Sequence, residues 1–115
     1  MDVESLRTFC KTLPAVTEEI KWANDLCFSV GGKMFCVVGL KSPHRFSFKV
    51  ADEDFDELSS SEGFIPAPYM ARAKWVSTET PHRIKKNEGQ QFVRISNDLV
   101  KAKLTKKIRV ELGLD

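Results

Sequence analysis

Apolar residues recur at three- and four-residue spacing at the start of the chain, where Val3, Leu6, Phe9 (or Cys10) and Leu13 follow Asp2. That spacing predicts a helix capped by Asp2 and stopped near Thr12 by Pro14. Residues 17 to 25, "TEEIKWAND", are polar, with Ile20 and Trp22 on one side of a short strand and Asn24-Asp25 suited to a turn. "LCFSV" and "KMFCVVGL" then flank Gly31-Gly32. Two strand-like runs around two glycines predict a hairpin, because both turn positions accept positive φ. A two-residue loop would set Val30 opposite Lys33, Phe28 opposite Phe35 and Leu26 opposite Val37 on one sheet face. Cys27, Ser29, Met34, Cys36 and Val38 would share the other face, and Cys27 would face Cys36. "FSFKV" extends the sheet with Phe46, Phe48 and Val50 alternating against Ser47 and Lys49.

"DEDFDELSSSEG", 52 to 63, reads as a short helix with Phe55 and Leu58 inward and acids in its first turn, where the helix dipole favours them. "FIPAPYM" is a stiffened connector. "ARAKWVSTE", 71 to 79, reads as a strand with Arg72 and Lys74 on one side. After the polar loop "TPHRIKKNEG" comes a helix with Phe92, Ile95, Leu99 and Leu104 as its buried stripe and Val100 beside it. "TKKIRVELGL" adds a last turn or two capped by Thr105. The order of elements predicts an α+β fold: a single domain, residues 1–115, built as a two-layer sandwich of antiparallel sheet against N- and C-terminal helices.

Composition adds little to that picture. Hydrophobic residues make up 42% and charged residues 30%, ordinary for a compact domain and wrong for disorder. Eight Phe and two Trp against one Tyr give a small core large rings to fill it. No run is apolar enough to span a membrane, and the acidic, amphipathic N-terminus is not a secretory signal. Three cysteines without framework spacing predict free thiols and a cytoplasmic location. Charge is uneven: residues 1–65 carry a net −4 and residues 66–115 a net +6. If the fold separates these halves, one face can attract an anionic partner.

The phrases "GGKMFCVV" in a hairpin, "KWVSTE" in a late strand and "ISNDLVKAKLTKK" in the last helix resemble the MmcQ/YjbR family of small bacterial proteins, over roughly residues 3 to 112. Lys74 stands where that family often has histidine, and Asn97 where an aromatic is common. The resemblance implies a frataxin-like (CyaY-like) fold and binding of double-stranded DNA by wing-like elements on the sheet.

The cations available for such contacts are Lys33 at the hairpin tip, Lys49, Arg72 and Lys74 on strands, and Arg83, Lys85 and Lys86 in the following loop. Phosphate contact needs projecting cations, and the hairpin tip and the basic loop would supply two prongs. A net charge of only +2 and no base-reading helix predict weak, salt-sensitive, sequence-independent contacts. Trp75 is expected to fill the Phe-rich core, the alternative being an exposed ring beside Lys74.

No catalytic constellation emerges from His44, His82 and the scattered cysteines, so no enzyme activity and no cofactor are expected. The acidic residues of the first helix and first strand, and the run from Asp52 to Glu57, do not converge as a hard cation requires, so no metal is expected either. A different class also fits. The lightly apolar second sheet face and the "FIPAPYM" connector would suit a protein- or small-ligand-binding module. A monomer is the expectation for the oligomeric state.

Overall fold

A computed structural model describes residues 1–115, with principal extents of 39 × 30 × 27 Å. The N-terminal helix is α1 (Val3–Thr12), and the Asp2 carboxylate accepts a 2.7 Å hydrogen bond from the Ser5 N–H as its cap. Its buried residues are Leu6 and Cys10, so the inward position is Cys10 rather than Phe9. β1 (Val16–Lys21), β2 (Asp25–Val30), β3 (Lys33–Gly39) and β4 (Phe46–Lys49) follow. Then come α2 (Asp52–Ser59), β5 (Ile65–Pro66), β6 (Trp75–Thr78), α3 (Lys86–Ala102) and α4 (Lys106–Glu111). The six strands form one antiparallel sheet in the order β1-β2-β3-β4-β6-β5. With α1 and α3 packed on one face, this is the predicted α+β two-layer sandwich. No helix is long and apolar enough to cross a membrane.

The hairpin forms where the two glycines predict it, with Gly31 and Gly32 at φ 59° and 80°. Its register corrects the expected one. Val30 does face Lys33, but a bulge beside Ser29 then sets Phe28 opposite Cys36, Cys27 opposite Val37 and Leu26 opposite Val38. Phe35 is the extra residue on β3, and both it and Cys36 are buried in the helix-side core with Val38. The slip brings one more apolar side chain into that core, worth roughly 1.5–3 kcal/mol. The displaced ladder hydrogen bond is worth only about 1 kcal/mol. Burial wins.

Three further expectations are corrected by the same geometry. Cys27 and Cys36 do not face each other: Cys36 lies against Cys10 beneath the helices, Cys27 lies on the opposite sheet face, and all three thiols are free. Burial pushes the Cys36 thiol well above its ordinary pKa, and the neighbouring Cys10 adds to the shift. Trp75 is buried at 5% exposure, but with Cys27, Val37 and Ala67 on the outer face rather than among the phenylalanines. The predicted strand over 71–79 is shorter. Ala71–Ala73 form a tight helical turn, Lys74 is left-handed at φ 65°, and only Trp75–Thr78 pair.

The inward face of α3 is also rotated. Its buried residues are Gly89, Val93, Ser96, Asn97 and Val100, continued by Leu104, while Ile95 is exposed and Phe92 and Leu99 are half-buried. Ser96 explains the rotation. Its hydroxyl donates to the Phe35 carbonyl at 2.6 Å and accepts from the Lys49 N–H at 2.9 Å. Those two backbone groups would meet in an unbroken β3–β4 ladder, so the serine splices the ladder where the bulge opens it. Beside it, Asn97 is buried with its Nδ2 unpartnered.

Candidate binding surfaces

The sheet's register decides where the seven candidate cations go. Lys33 starts β3 at the hairpin tip, and Lys49 ends β4 at the same end of the sheet, opposite Trp75. Arg72 and Lys74 immediately precede β6 there. Because β3, β4 and β6 run antiparallel in turn, with Val38 opposite Phe46 and Phe46 opposite Thr78, the chain leaves β6 at the far end. Arg83, Lys85 and Lys86 are exposed at that far end. Lys33 and Val38 lie five residue steps apart along β3, about 17 Å at 3.3 Å per residue. The hairpin tip and the basic loop therefore project from opposite ends, not as two prongs of one surface.

Within the tip-end set the cations differ in availability. Lys33 and Arg72 are exposed. The Lys74 ammonium lies 5.1 Å above the centre of the Phe55 ring, a cation–π contact. Lys49 is buried at 8% exposure, and its ammonium donates to the Ala73 carbonyl. Burial lowers the Lys49 pKa, with Lys103 and Lys74 repelling the same charge and Asp52 partly offsetting them. Lys103, at the end of α3, was not among the cations singled out in the sequence.

The outer sheet face carries a different surface. The segment from Ala67 to Met70 folds over part of it, burying Trp75 and Val37 with the help of Met34 and Met70. It does so as a tight turn in which the Met70 N–H donates to the Ala67 carbonyl at 3.1 Å. Pro68 and Tyr69 fill the central positions, and Tyr69 has φ 66°. A proline followed by positive φ is the type II pattern, whose second central position favours glycine. Here it holds a tyrosine whose side chain is fully exposed.

The β1–β2 turn repeats the arrangement. Trp22 and Ala23 have φ 50° and 71°, and Trp22 is 65% exposed. Between these two turns lies a groove of about 790 Å³. Met34, Val37, Ser47 and Ser77 lie along it, and the Arg45–Glu79 ion pair stands at one end. The serine hydroxyls are hydrogen-bonded to each other at 2.6 Å.

In the sequence Trp22 reads as a strand residue and Tyr69 as part of an irregular connector. The signal for Tyr69 is Pro68 before it, which fixes a turn. For Trp22 no comparable signal precedes it. A second cavity, of about 640 Å³, lies at the start of α1 and includes Asp2, Glu4, His44 and His82. The His44 ring there is committed by a 2.9 Å contact between Nδ1 and the Gly39 carbonyl oxygen. No three His, Cys, Asp or Glu side chains are grouped so as to hold a metal ion.

A six-stranded antiparallel sheet with helices on one face and an aromatic-rimmed groove on the other defines a small α+β domain. The YjbR family model matches residues 11–99, most of the chain, and the protein belongs to the YjbR family. Among solved structures it is similar to Deinococcus radiodurans protein DR2400, which carries a DUF419 domain. The TM-score is 0.86 at 29% identity, covering 98% of this chain and 88% of that one. A protein from Pseudomonas syringae shares the fold with a TM-score of 0.73 at 16% identity, covering 87% of this chain and 99% of that one. No curated protein matches significantly.

Proposed function

We propose that this is a binding protein rather than a catalyst, and that its ligand is a small uncharged molecule seated in the outer-face groove. One observation carries the reading. Trp22 and Tyr69, from opposite flanks of the groove, hold large rings in solvent on left-handed backbone. Each such residue costs roughly 1–2 kcal/mol, and the fully exposed Tyr69 ring recovers none of it by burial. Strain retained around exposed aromatics points to a partner that covers them. The volume suits a small ligand, for which pockets run from about 300 to 1,000 Å³. Among the polar groups lining the groove, Arg45 is paired with Glu79 and Ser47 with Ser77.

The test uses Nile red, a neutral planar dye whose emission shifts to the blue out of water. Wild-type protein should enhance that emission, and Trp22→Ala and Tyr69→Ala should each reduce it. Equal enhancement by both variants would place the dye elsewhere and remove the reading.

Double-stranded DNA is the second reading, favoured by one feature. Lys33, Lys49, Arg72, Lys74 and Lys103 gather at the hairpin-tip end of the sheet. Two or three phosphate contacts there would give a log–log salt slope of about −2 to −3. Fluorescence anisotropy with a duplex at two salt concentrations tests it. Lys33→Ala and Arg72→Ala should weaken binding, whereas Lys85→Ala, at the far end, should not. Indifference to all three would dismiss this reading.

A further inference from the structure

We infer that the occupant of the groove is a flat, uncharged heteroaromatic ring system, stacked on Trp22 and Tyr69 with a hydrogen-bond acceptor directed at the Ser47–Ser77 hydroxyl pair. This rests on the small-ligand reading of the same groove. Charge comes first. The ionised groups lining the groove are Lys41, Arg45, Asp25 and Glu79, two of each sign, with Arg45 already paired to Glu79. An anion or a cation entering it would lose hydration without meeting net opposite charge, so the field selects a neutral molecule.

The polar feature between the rims is specific. Ser47 and Ser77 have their hydroxyl oxygens 2.6 Å apart and make no other side-chain hydrogen bond. Two hydroxyls carry two hydrogens, and one of these fills the contact between them. The other is an uncommitted donor, and because Ser77 is fully buried while Ser47 is 6% exposed, Ser47 is the hydroxyl that can present it to the groove. A ring nitrogen or carbonyl oxygen satisfies it, and a pure hydrocarbon leaves it unpaired. Met34 and Met70 supply polarisable sulfur of the kind that packs well on ring edges.

An extended peptide fits less well. Peptides that join a sheet pair with unpaired strand edges. The strands beneath this groove, β3, β4 and β6, each have a partner on both sides. Their main-chain groups are spent, and the groove offers side chains only. Side-chain recognition by two rings and a few polar groups, Ser47 among them, describes a compact ligand.

The experiment titrates the full chain with three neutral probes. These are lumichrome, a fused heteroaromatic, menthol, a saturated alcohol, and an end-capped decaproline peptide. The readout is the set of amide and indole N–H resonances of ¹⁵N-labelled protein. Lumichrome is expected to shift the Trp22 indole, the Tyr69 amide and the Ser77 amide. Trp22→Ala or Tyr69→Ala should weaken lumichrome about tenfold, the value of one aromatic contact of about 1.4 kcal/mol. Trp22→Phe and Tyr69→Phe, which keep a ring, should retain most of the affinity and control for folding. Ser47→Ala should also weaken lumichrome. If menthol or decaproline moves these resonances and lumichrome does not, the ligand class is wrong while the groove remains a binding site. If none of the three moves them, both readings fall together.

Discussion

Replacing Ser96 by alanine should destabilise the protein by about 2–4 kcal/mol, far more than an ordinary serine substitution. The Ser96 hydroxyl is fully buried and bridges the Phe35 carbonyl and the Lys49 N–H, at 2.6 and 2.9 Å. Alanine removes both partners at once and leaves a buried acceptor and a buried donor unpaired, at about 1–3 kcal/mol each. The better helix propensity of alanine returns roughly 0.5 kcal/mol. With a urea dependence of about 1–3 kcal/mol per molar, the unfolding midpoint should fall by at least about 0.7 M. Ser60→Ala is the reference, because the exposed Ser60 hydroxyl only returns to carbonyls of its own helix, those of Asp56 and Glu57. It should change stability by less than about 0.5 kcal/mol. Amide exchange gives an independent reading, since protection of the Lys49 N–H should drop in Ser96→Ala. Equal urea midpoints for the two variants would refute the claim that this hydroxyl splices the ladder.

Gly31→Ala and Gly32→Ala both place a side chain on left-handed backbone, at roughly 1–2 kcal/mol each. Only at Gly31 would the new Cβ also fall 2.7 Å from a Leu104 methyl, so Gly31→Ala should show the lower thermal midpoint. The Arg7 side chain donates two hydrogen bonds to Glu18, at 2.8 and 2.9 Å, and holds its carboxyl below the ordinary 4.5. That pair stabilises the fold above the unfolded-state pKa and ceases to do so as pH falls through the lower folded value. Because Arg7 is 42% exposed, water screens much of that contribution. Glu18→Gln should therefore be less stable than wild type in urea at pH 7 and indistinguishable at pH 2. Tyr69→Gly relieves a left-handed tyrosine at the entropic expense of a glycine, so it should raise stability by roughly 0.5–1 kcal/mol while reducing Nile red enhancement. A loss of stability there would mean the ring packs in the free protein.

The elements were legible wherever a local rule decides them. Asp2 caps α1, Gly31-Gly32 turns the hairpin, and the alternation of Phe46 and Phe48 orients β4, because each depends on neighbours within a few residues. What the sequence hides is set by contacts between distant residues. Nothing near Phe35 announces a bulge, since its cause is the helix-side core, and Ser96, which completes it, lies 61 residues away. The same bulge sends Cys36 to the core and leaves Cys27 behind, which strict alternation from the hairpin turn cannot foresee. α3 follows suit: a purely apolar stripe was expected, whereas the face chosen contains Ser96 and Asn97 because the sheet needs a polar group there.

Site residues divide along the same line. Counting cations finds Lys33 and Arg83 equally well, but whether they act together depends on how many antiparallel strands intervene. Here the answer puts about 17 Å of β3 between the hairpin tip and the end from which Arg83 emerges. Trp75 has the opposite lesson. It is a large ring in a strand, expected among the phenylalanines, and it is buried instead on the opposite sheet face, where its burial depends on a short turn that leaves Tyr69 outside. One connector thus seals one aromatic and exposes another, and its backbone is strained at the exposed one. A chain selected only for stability would carry glycine or asparagine after Pro68. The tyrosine is therefore not explained by anything it contributes to the fold, which is why the proposed ligand is set against its ring.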